Sequence, residues 1–168
     1  MSGPPRSATV LNTTVLSNFA HVDEVELLFD LPRVVTVAAV REELEDGAEN
    51  HPYLTSGIAA LDAGIPVFSL SDTEGETETA LLKTLDPGEA QALAVAEIAD
   101  GIFVTDDGDA RRTAKQRDVE ITGSIGLLVR FVDNGRISSE TADSHLKRWI
   151  DEAGFRSPSR DFAVFLEE

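Results

Sequence analysis

The sequence predicts an α/β protein, a mostly parallel sheet with helices on its faces. Three observations lead there. Short β-branched runs recur along the chain, and segments with helical spacing separate them. The run Asp86-Pro-Gly-Glu89 is a strong helix-start signal, with Pro at the first helical position and Glu three residues after the cap. With 168 residues and 42% hydrophobic content, the chain has enough apolar material for one domain with its own core, over residues 1–168.

The elements follow in order. Residues 8–11 form a first β-like run. Residues 14–29 carry apolar residues at helical spacing, broken near His21. Val34–Val37 is β-branched and follows Pro32, which predicts a buried strand. Residues 38–49 and 53–63 are expected as helices, and 65–70 as a strand. Residues 71–79 are acidic and polar and contain Gly75, which predicts a mobile loop. A helix runs from Asp86 to about Asp100 and ends at Gly101. Strands are expected at 102–105 and 119–121, and helices at 108–117, 124–132 and 139–152. The tail, FRSPSRDFAVFLEE, holds apolar residues suited to packing back on the body.

Composition removes several function classes. The absence of cysteine excludes disulfides, zinc–thiolate sites and thiol nucleophiles. No apolar run approaches the roughly 18 residues of a membrane span. The start, MSGPPRSATV, lacks the apolar core of a signal peptide, so a cytoplasmic protein is expected. Net charge is −17, with 31 acidic residues against 14 basic ones. Lysine is rare: Lys83, Lys115 and Lys147. An acidic excess spread along the whole chain, with arginine preferred to lysine, is the pattern of a halophilic protein adapted to molar salt. At about 1 M salt the Debye length is roughly 3 Å, which screens surface repulsion. The plainer reading is an acidic protein kept soluble by its charge.

In open parallel sheets, function collects beyond the carboxyl ends of the strands. Here Asn12-Thr13-Thr14, Thr105-Asp106-Asp107 and Thr122-Gly123-Ser124 leave those ends, all rich in oxygen donors. Each functional candidate also has a structural reading. Asn12 or Thr13 caps the helix that follows. Glu43 lies in a charge run, Arg41-Glu-Glu-Leu-Glu-Asp46, that suits a solvated helix face. Glu89 sits where a capping box places its glutamate, and Asp106 caps the helix starting at Gly108.

Their joint order resembles a known family. Val10-Leu11-Asn12-Thr13-Thr14-Val15-Leu16 resembles the first-strand motif of PIN-like domains, in which an acid is followed by Thr or Ser. Val40-Arg-Glu-Glu43-Leu44, Gly88-Glu89-Ala-Gln-Ala-Leu-Ala-Val-Ala96 and Val104-Thr-Asp-Asp107-Gly-Asp-Ala-Arg111 resemble the segments carrying the next three acidic positions. Ile121-Thr-Gly-Ser-Ile-Gly-Leu-Leu128 and Ala153-Gly-Phe155-Arg156 match a prokaryotic subfamily described as predicted nucleic-acid-binding proteins. The resemblance covers nearly the whole chain. It implies a three-layer α/β/α sandwich and an endoribonuclease dependent on Mg²⁺ or Mn²⁺. It also implies a VapC-type toxin of a toxin–antitoxin pair, inhibited by a small antitoxin protein, and a homodimer. Glu43, Glu89 and Asp107 fall on the catalytic acidic positions. Metal ligands are expected from Asn12, Glu43, Glu89, Asp106 and Asp107, converging on one site. Thr14, Ser124, Arg111 and Arg112 are expected at the RNA substrate, with Thr14 or Ser124 orienting a carboxylate or a phosphate.

The chemistry explains such a cluster. Crowded carboxylates keep their charge only with a cation among them, and hard divalent ions prefer oxygen ligands. The family's first acid is Asp, whereas position 12 here is Asn. Asn ligates through its carbonyl oxygen but brings no charge. Two readings follow: an enzyme working with Glu43, Glu89 and Asp107, or a catalytically weak or inactive module that binds RNA or protein. A third class, phosphoryl transfer through Asp106 or Asp107, needs a lysine near the phosphate, and the nearest downstream is Lys115. His21, His51 and His145 sit in no motif and are expected at the surface or capping loops.

Overall fold

The structure is a computed structural model, and it describes residues 3–69 and 75–166. Five short strands form one parallel sheet: β1 (Thr9–Leu11), β2 (Val34–Val37), β3 (Val67–Phe68), β4 (Ile102–Val104) and β5 (Glu120–Thr122). Their spatial order is β3-β2-β1-β4-β5. Thr9 and Val10 pair with Val34 and Val35 on one side and with Ile102 and Phe103 on the other. The chain steps outward from β1 to β3, then crosses back to β4, so the strand order reverses between β1 and β4. That switch point opens a crevice at the carboxyl ends of the two central strands, where Asn12 leaves β1 and Thr105-Asp106-Asp107 leave β4.

Helices cover the sheet in the expected three-layer α/β/α arrangement: α1 (Thr13–His21), α2 (Ala38–Gly47), α3 (Leu54–Ala63), α4 (Gly75–Leu81), α5 (Pro87–Ala99), α6 (Gly108–Gln116), α7 (Ser124–Asp133), α8 (Ser139–Ala153) and α9 (Ala163–Leu166). Helix α5 lies against β1, β2 and β4 and also touches α2, α4 and α6. It is therefore apolar on nearly all sides, with Ala90, Ala92, Leu93, Ala94, Val95, Ala96 and Ala99 buried. Elsewhere Phe19 of α1 meets Phe131 of α7 edge-on at 5.9 Å and Trp149 of α8 at 5.3 Å. The Trp149 Nε1–H donates to the Asn18 carbonyl at 2.7 Å, so α8 is locked to α1 by a buried hydrogen bond as well as by packing.

Several local expectations change. The helical stretch over 14–29 splits into α1 and a 3₁₀ segment, Val25–Asp30, because Asp23 takes a left-handed φ of 60° between them. Of the strand expected over 65–70, Val67–Phe68 forms at the sheet edge, while residue 70 lies outside the described residues. Within 71–79, residues 71–74 lie outside the described residues, and the rest belongs to α4 rather than a loop. Leu81 and Leu85 are buried, which gives this acidic stretch an apolar anchor. The left-handed residue that ends α5 is Asp100, at φ 53°. Gly101 answers a different need: a Cβ there would stand 2.1 Å from the Ala8 carbonyl oxygen, where β4 begins alongside β1.

Candidate active site at the switch point

The crevice is built from helix starts. At the N-terminus of α5, Asp86 and Glu89 form the capping box the sequence announced: Asp86 Oδ1 accepts from the Glu89 amide at 2.8 Å, and Glu89 Oε1 accepts from the Asp86 amide at 3.4 Å. At the N-terminus of α6 the cap is Asp107, not Asp106 as expected, with Asp107 Oδ2 accepting from the Ala110 amide at 2.8 Å. The carboxyl groups of Glu89 and Asp107 stand close enough to repel each other. Burial pushes the Glu89 carboxyl up to about 7, and repulsion from Asp86 and then Asp107 adds to that.

Glu43 comes from α2, which is tied to α5 where the Ala39 amide donates to Gln91 Oε1 at 3.0 Å. Thr13 Oγ1, in the first turn of α1, donates to Glu43 Oε1 at 3.0 Å. The Glu43 carboxylate lies so close to the start of α5 that a Cβ on Gly88 would fall 1.9 Å from its Oε1. Gly88 is thus the gap in α5 that lets the second acid in. Burial raises the Glu43 pKa, the Thr13 hydrogen bond opposes this, and Asp86 adds to the rise.

Asn12 is 2% exposed. It begins α1 but its side chain does not cap the helix. Instead Asn12 Nδ2 donates to Thr105 Oγ1 at 2.9 Å, and that oxygen also accepts from the Asp107 amide at 3.2 Å. Among the described residues nothing donates to Asn12 Oδ1, and Thr105 Oγ1 links the Asn12 side chain to the Asp107 backbone. The buried Thr36 hydroxyl donates to the Leu11 carbonyl at 2.6 Å and fixes the β1 end from which Asn12 departs.

Asp106 does not join this group. Its Oδ1 accepts from the Ser124 amide at 2.7 Å, and its Oδ2 accepts from Ser124 Oγ at 2.6 Å and from Asn18 Nδ2 at 3.1 Å. Its own amide donates to Thr14 Oγ1 at 3.3 Å. Burial raises the Asp106 pKa, while Ser124 and the nearby Arg111 guanidinium oppose the rise. The expectation of Asp106 as a metal ligand is therefore corrected: adjacent residues on an extended chain point opposite ways, and this one turns toward α7. Ser124 is corrected with it. The residue is fully buried and its hydroxyl and amide are both committed, so it orients a carboxylate and is closed to substrate. Arg112 pairs with Asp109 on the exposed face of α6. Arg111 instead donates from Nη1 to the Thr105 carbonyl at 2.9 Å. Thr14 remains exposed. His145 is buried, at 9% exposure, and meets Glu24 at 2.7 Å, which corrects its expected surface place.

Of the residues expected to converge, the structure brings some near one another and turns Asp106 away. Glu89 and Asp107 meet, Glu43 abuts the same helix start, and Asn12 joins them through Thr105. Among the described residues no three Asp, Glu or His groups are gathered closely enough to enclose an ion by themselves. A hydrated Mg²⁺ does not require that, since it keeps several waters and takes one or two carboxylates together with substrate phosphate. The donor set fits such an ion. No lysine or arginine among the described residues pairs with Glu43, Asp86, Glu89 or Asp107, although most arginines of this chain are ion-paired, Arg41, Arg117 and Arg160 among them. Sequence reasoning missed the supports: Gly88, Gln91, Thr105 as a bridge, and Asn18. A glycine directly before the capping glutamate was the one available hint.

Two comparisons bear on this arrangement. A family model described as PIN domain matches residues 8–168. No curated protein matches the chain. Among the described residues no helix is long and apolar enough to cross a membrane.

Proposed function

The chain belongs to the PIN domain family, and on that premise we propose that it hydrolyses RNA phosphodiester bonds with Mg²⁺ or Mn²⁺ held at Glu89 and Asp107. PIN domains are usually nucleases and generally use divalent metal ions. The observation that carries the proposal is the Glu89–Asp107 pair, two carboxyl groups at neighbouring helix starts that repel each other without a cationic partner among the described residues. Each caps its own helix, but when both are ionised their repulsion opposes the fold. A divalent ion removes that cost.

When bound, the ion supplies a more acidic water and charge stabilisation at the scissile phosphate. The chain's own groups do the rest. Glu89 and Asp107 are immobilised by the backbone amides that they cap. Glu43, held by Thr13, extends the negative field at the start of α5. Asn12, linked to the Asp107 backbone through Thr105, would offer a neutral oxygen. Thr14 of α1 and Arg111 of α6 both stand near Asp106, where an RNA strand would pass.

The toxin role, the small antitoxin partner and the homodimer are supported by the family resemblance. The −17 charge supports a setting of molar salt. The reading as a binding module is favoured by one observation: Asn12 adds no charge and is tied to Thr105. Incubation of pooled single-stranded RNA with wild type and Glu89→Gln, with and without Mn²⁺, decides between the two. Metal-dependent cleavage by wild type that is lost in Glu89→Gln supports the enzyme. Retention of RNA without cleavage supports the module.

A further inference from the structure

Two cavities of about 440 Å³ each lie side by side along the α6–α8 edge of the crevice. The first is bounded by Thr14, Asp106 and Asp107, and so reaches one of the two acids of the proposed metal site. The second extends past Arg111, Ile125 and Phe165. Asp106, Phe155 and Arg156 line both. Phe155 and Arg156 are therefore the threshold between the acidic site and the second cavity.

Their placement follows from the end of α8. Gly154 takes a left-handed φ of 70° and turns the chain out of the helix. The Phe155 amide then donates to the Trp149 carbonyl at 3.0 Å. The Phe155 ring is backed by the buried Trp149 at 5.6 Å and remains half-buried, so it is braced on one side and open on another. Arg156 follows, exposed. In a chain with 31 acidic residues, it has no ion-pair or hydrogen-bond partner among the described residues. Arg111, across the cavity, is held by the Thr105 carbonyl. Asp106 offsets one of these two charges, but its oxygens are already occupied by Ser124 and Asn18.

A braced aromatic ring beside a free guanidinium, within a cavity of ligand size, matches the chemistry of a nucleotide: a π-face for the base and a cation for its phosphate. An apolar helix would leave Arg156 unpaired, and an acidic peptide would leave the ring unused. We propose that this threshold is a nucleotide subsite, in which the base next to the scissile phosphate leaves its stack and lies on Phe155 while Arg156 holds the adjoining phosphate. The subsite rests on the ribonuclease reading for the position of the scissile bond, but its binding step does not depend on catalysis.

The test uses a short single-stranded RNA carrying 2-aminopurine, titrated without divalent metal into full-length Glu89→Gln protein, so that binding is read without cleavage. Base stacking quenches the probe, and quenching is expected in Glu89→Gln and in the double variant with Phe155→Tyr. Phe155→Leu should abolish the quenching and weaken binding by about tenfold, the range of one lost stacking contact. Arg156→Gln should lower the slope of log affinity against log salt by about one, the signature of one lost phosphate contact. Thermal melts confirm that each variant is folded. Equal quenching and equal salt slopes in all variants would overturn the subsite. Quenching that tracks Phe155 in a protein whose wild type never cleaves RNA would keep the subsite and refute the ribonuclease reading.

Discussion

Asp106 and Asp107 are neighbours in sequence and opposites in circumstance. Asp106 accepts three hydrogen bonds from Ser124 and Asn18 and has Arg111 close by. Asp107 accepts one from the α6 start and stands near Glu89, another carboxylate. The first is a satisfied anion that staples β4 to α7. The second belongs to a group with more negative charge than the protein neutralises. A carboxylate whose donors are all present is doing structural work, whereas one left facing its own kind is waiting for a cation.

The largest expected effect lies on the unsatisfied side. Asp107→Asn preserves a good helix cap while removing a charge, so folding should hold. Metal-dependent cleavage should fall by about a thousandfold, since the ion's charge stabilisation is worth several kcal/mol. Steady-state kinetics with a fluorogenic RNA checks this. Loss of fold in place of activity would erase the distinction between the two aspartates.

The mirror variant is Asp106→Asn. Its amide nitrogen must face a donor, Ser124 Oγ–H, the Ser124 amide or Asn18 Nδ2, so at least one buried hydrogen bond fails at a cost of about 1–3 kcal/mol. A lowered midpoint in chemical denaturation, with metal affinity little changed, sharpens the comparison. The reverse pattern would break it.

Asn12→Asp probes the same divide from β1. The new carboxylate accepts from Thr105 Oγ1–H in place of donating to it, and adds a charge beside Asp107. Coulomb attraction at short range in a partly wet site is several kcal/mol before desolvation, which opposes much of it. A gain of about ten- to a hundredfold in Mn²⁺ affinity is expected, and cleavage should rise where occupancy limits the rate. Tighter metal without faster cleavage would favour the binding module.

The smallest effect is on stability against pH. Glu89 is raised in the fold to about 7 from the usual carboxylate range. The native state therefore binds more protons than the unfolded state between about 4.5 and 7, and stability must fall as pH rises through that window. In metal-free protein, wild type should lose stability across this range relative to Glu89→Gln, and added Mn²⁺ should remove the difference. Parallel slopes without metal would mean that Glu89 is not crowded.

How much of this was legible in the sequence depends on distance along the chain. The parallel sheet, the capping box at Asp86–Glu89 and the order of the acids were visible because each is written in local spacing. The direction of Asp106 was not, since consecutive residues of an extended segment point opposite ways and only the tertiary position of Ser124 and Asn18 decides which faces inward. Gly88 resembled ordinary helix-start chemistry, and its purpose shows only once Glu43 arrives from α2. Arg111 and Arg112 looked equivalent until Asp109 claimed one and the Thr105 carbonyl the other. Residues 75–79 read as part of a loop because their polarity hid the anchoring Leu81 that follows.

The central claim is that Glu89 and Asp107 together hold a divalent cation. Calorimetric titration of Mn²⁺ into wild type, Glu89→Gln and Asp107→Asn at a pH above 7, where Glu89 is ionised, tests it directly. Saturable binding is expected in wild type, with a loss of about tenfold or more in affinity in each variant, since each removes one of the two charged ligands. Identical heats in all three proteins would contradict it.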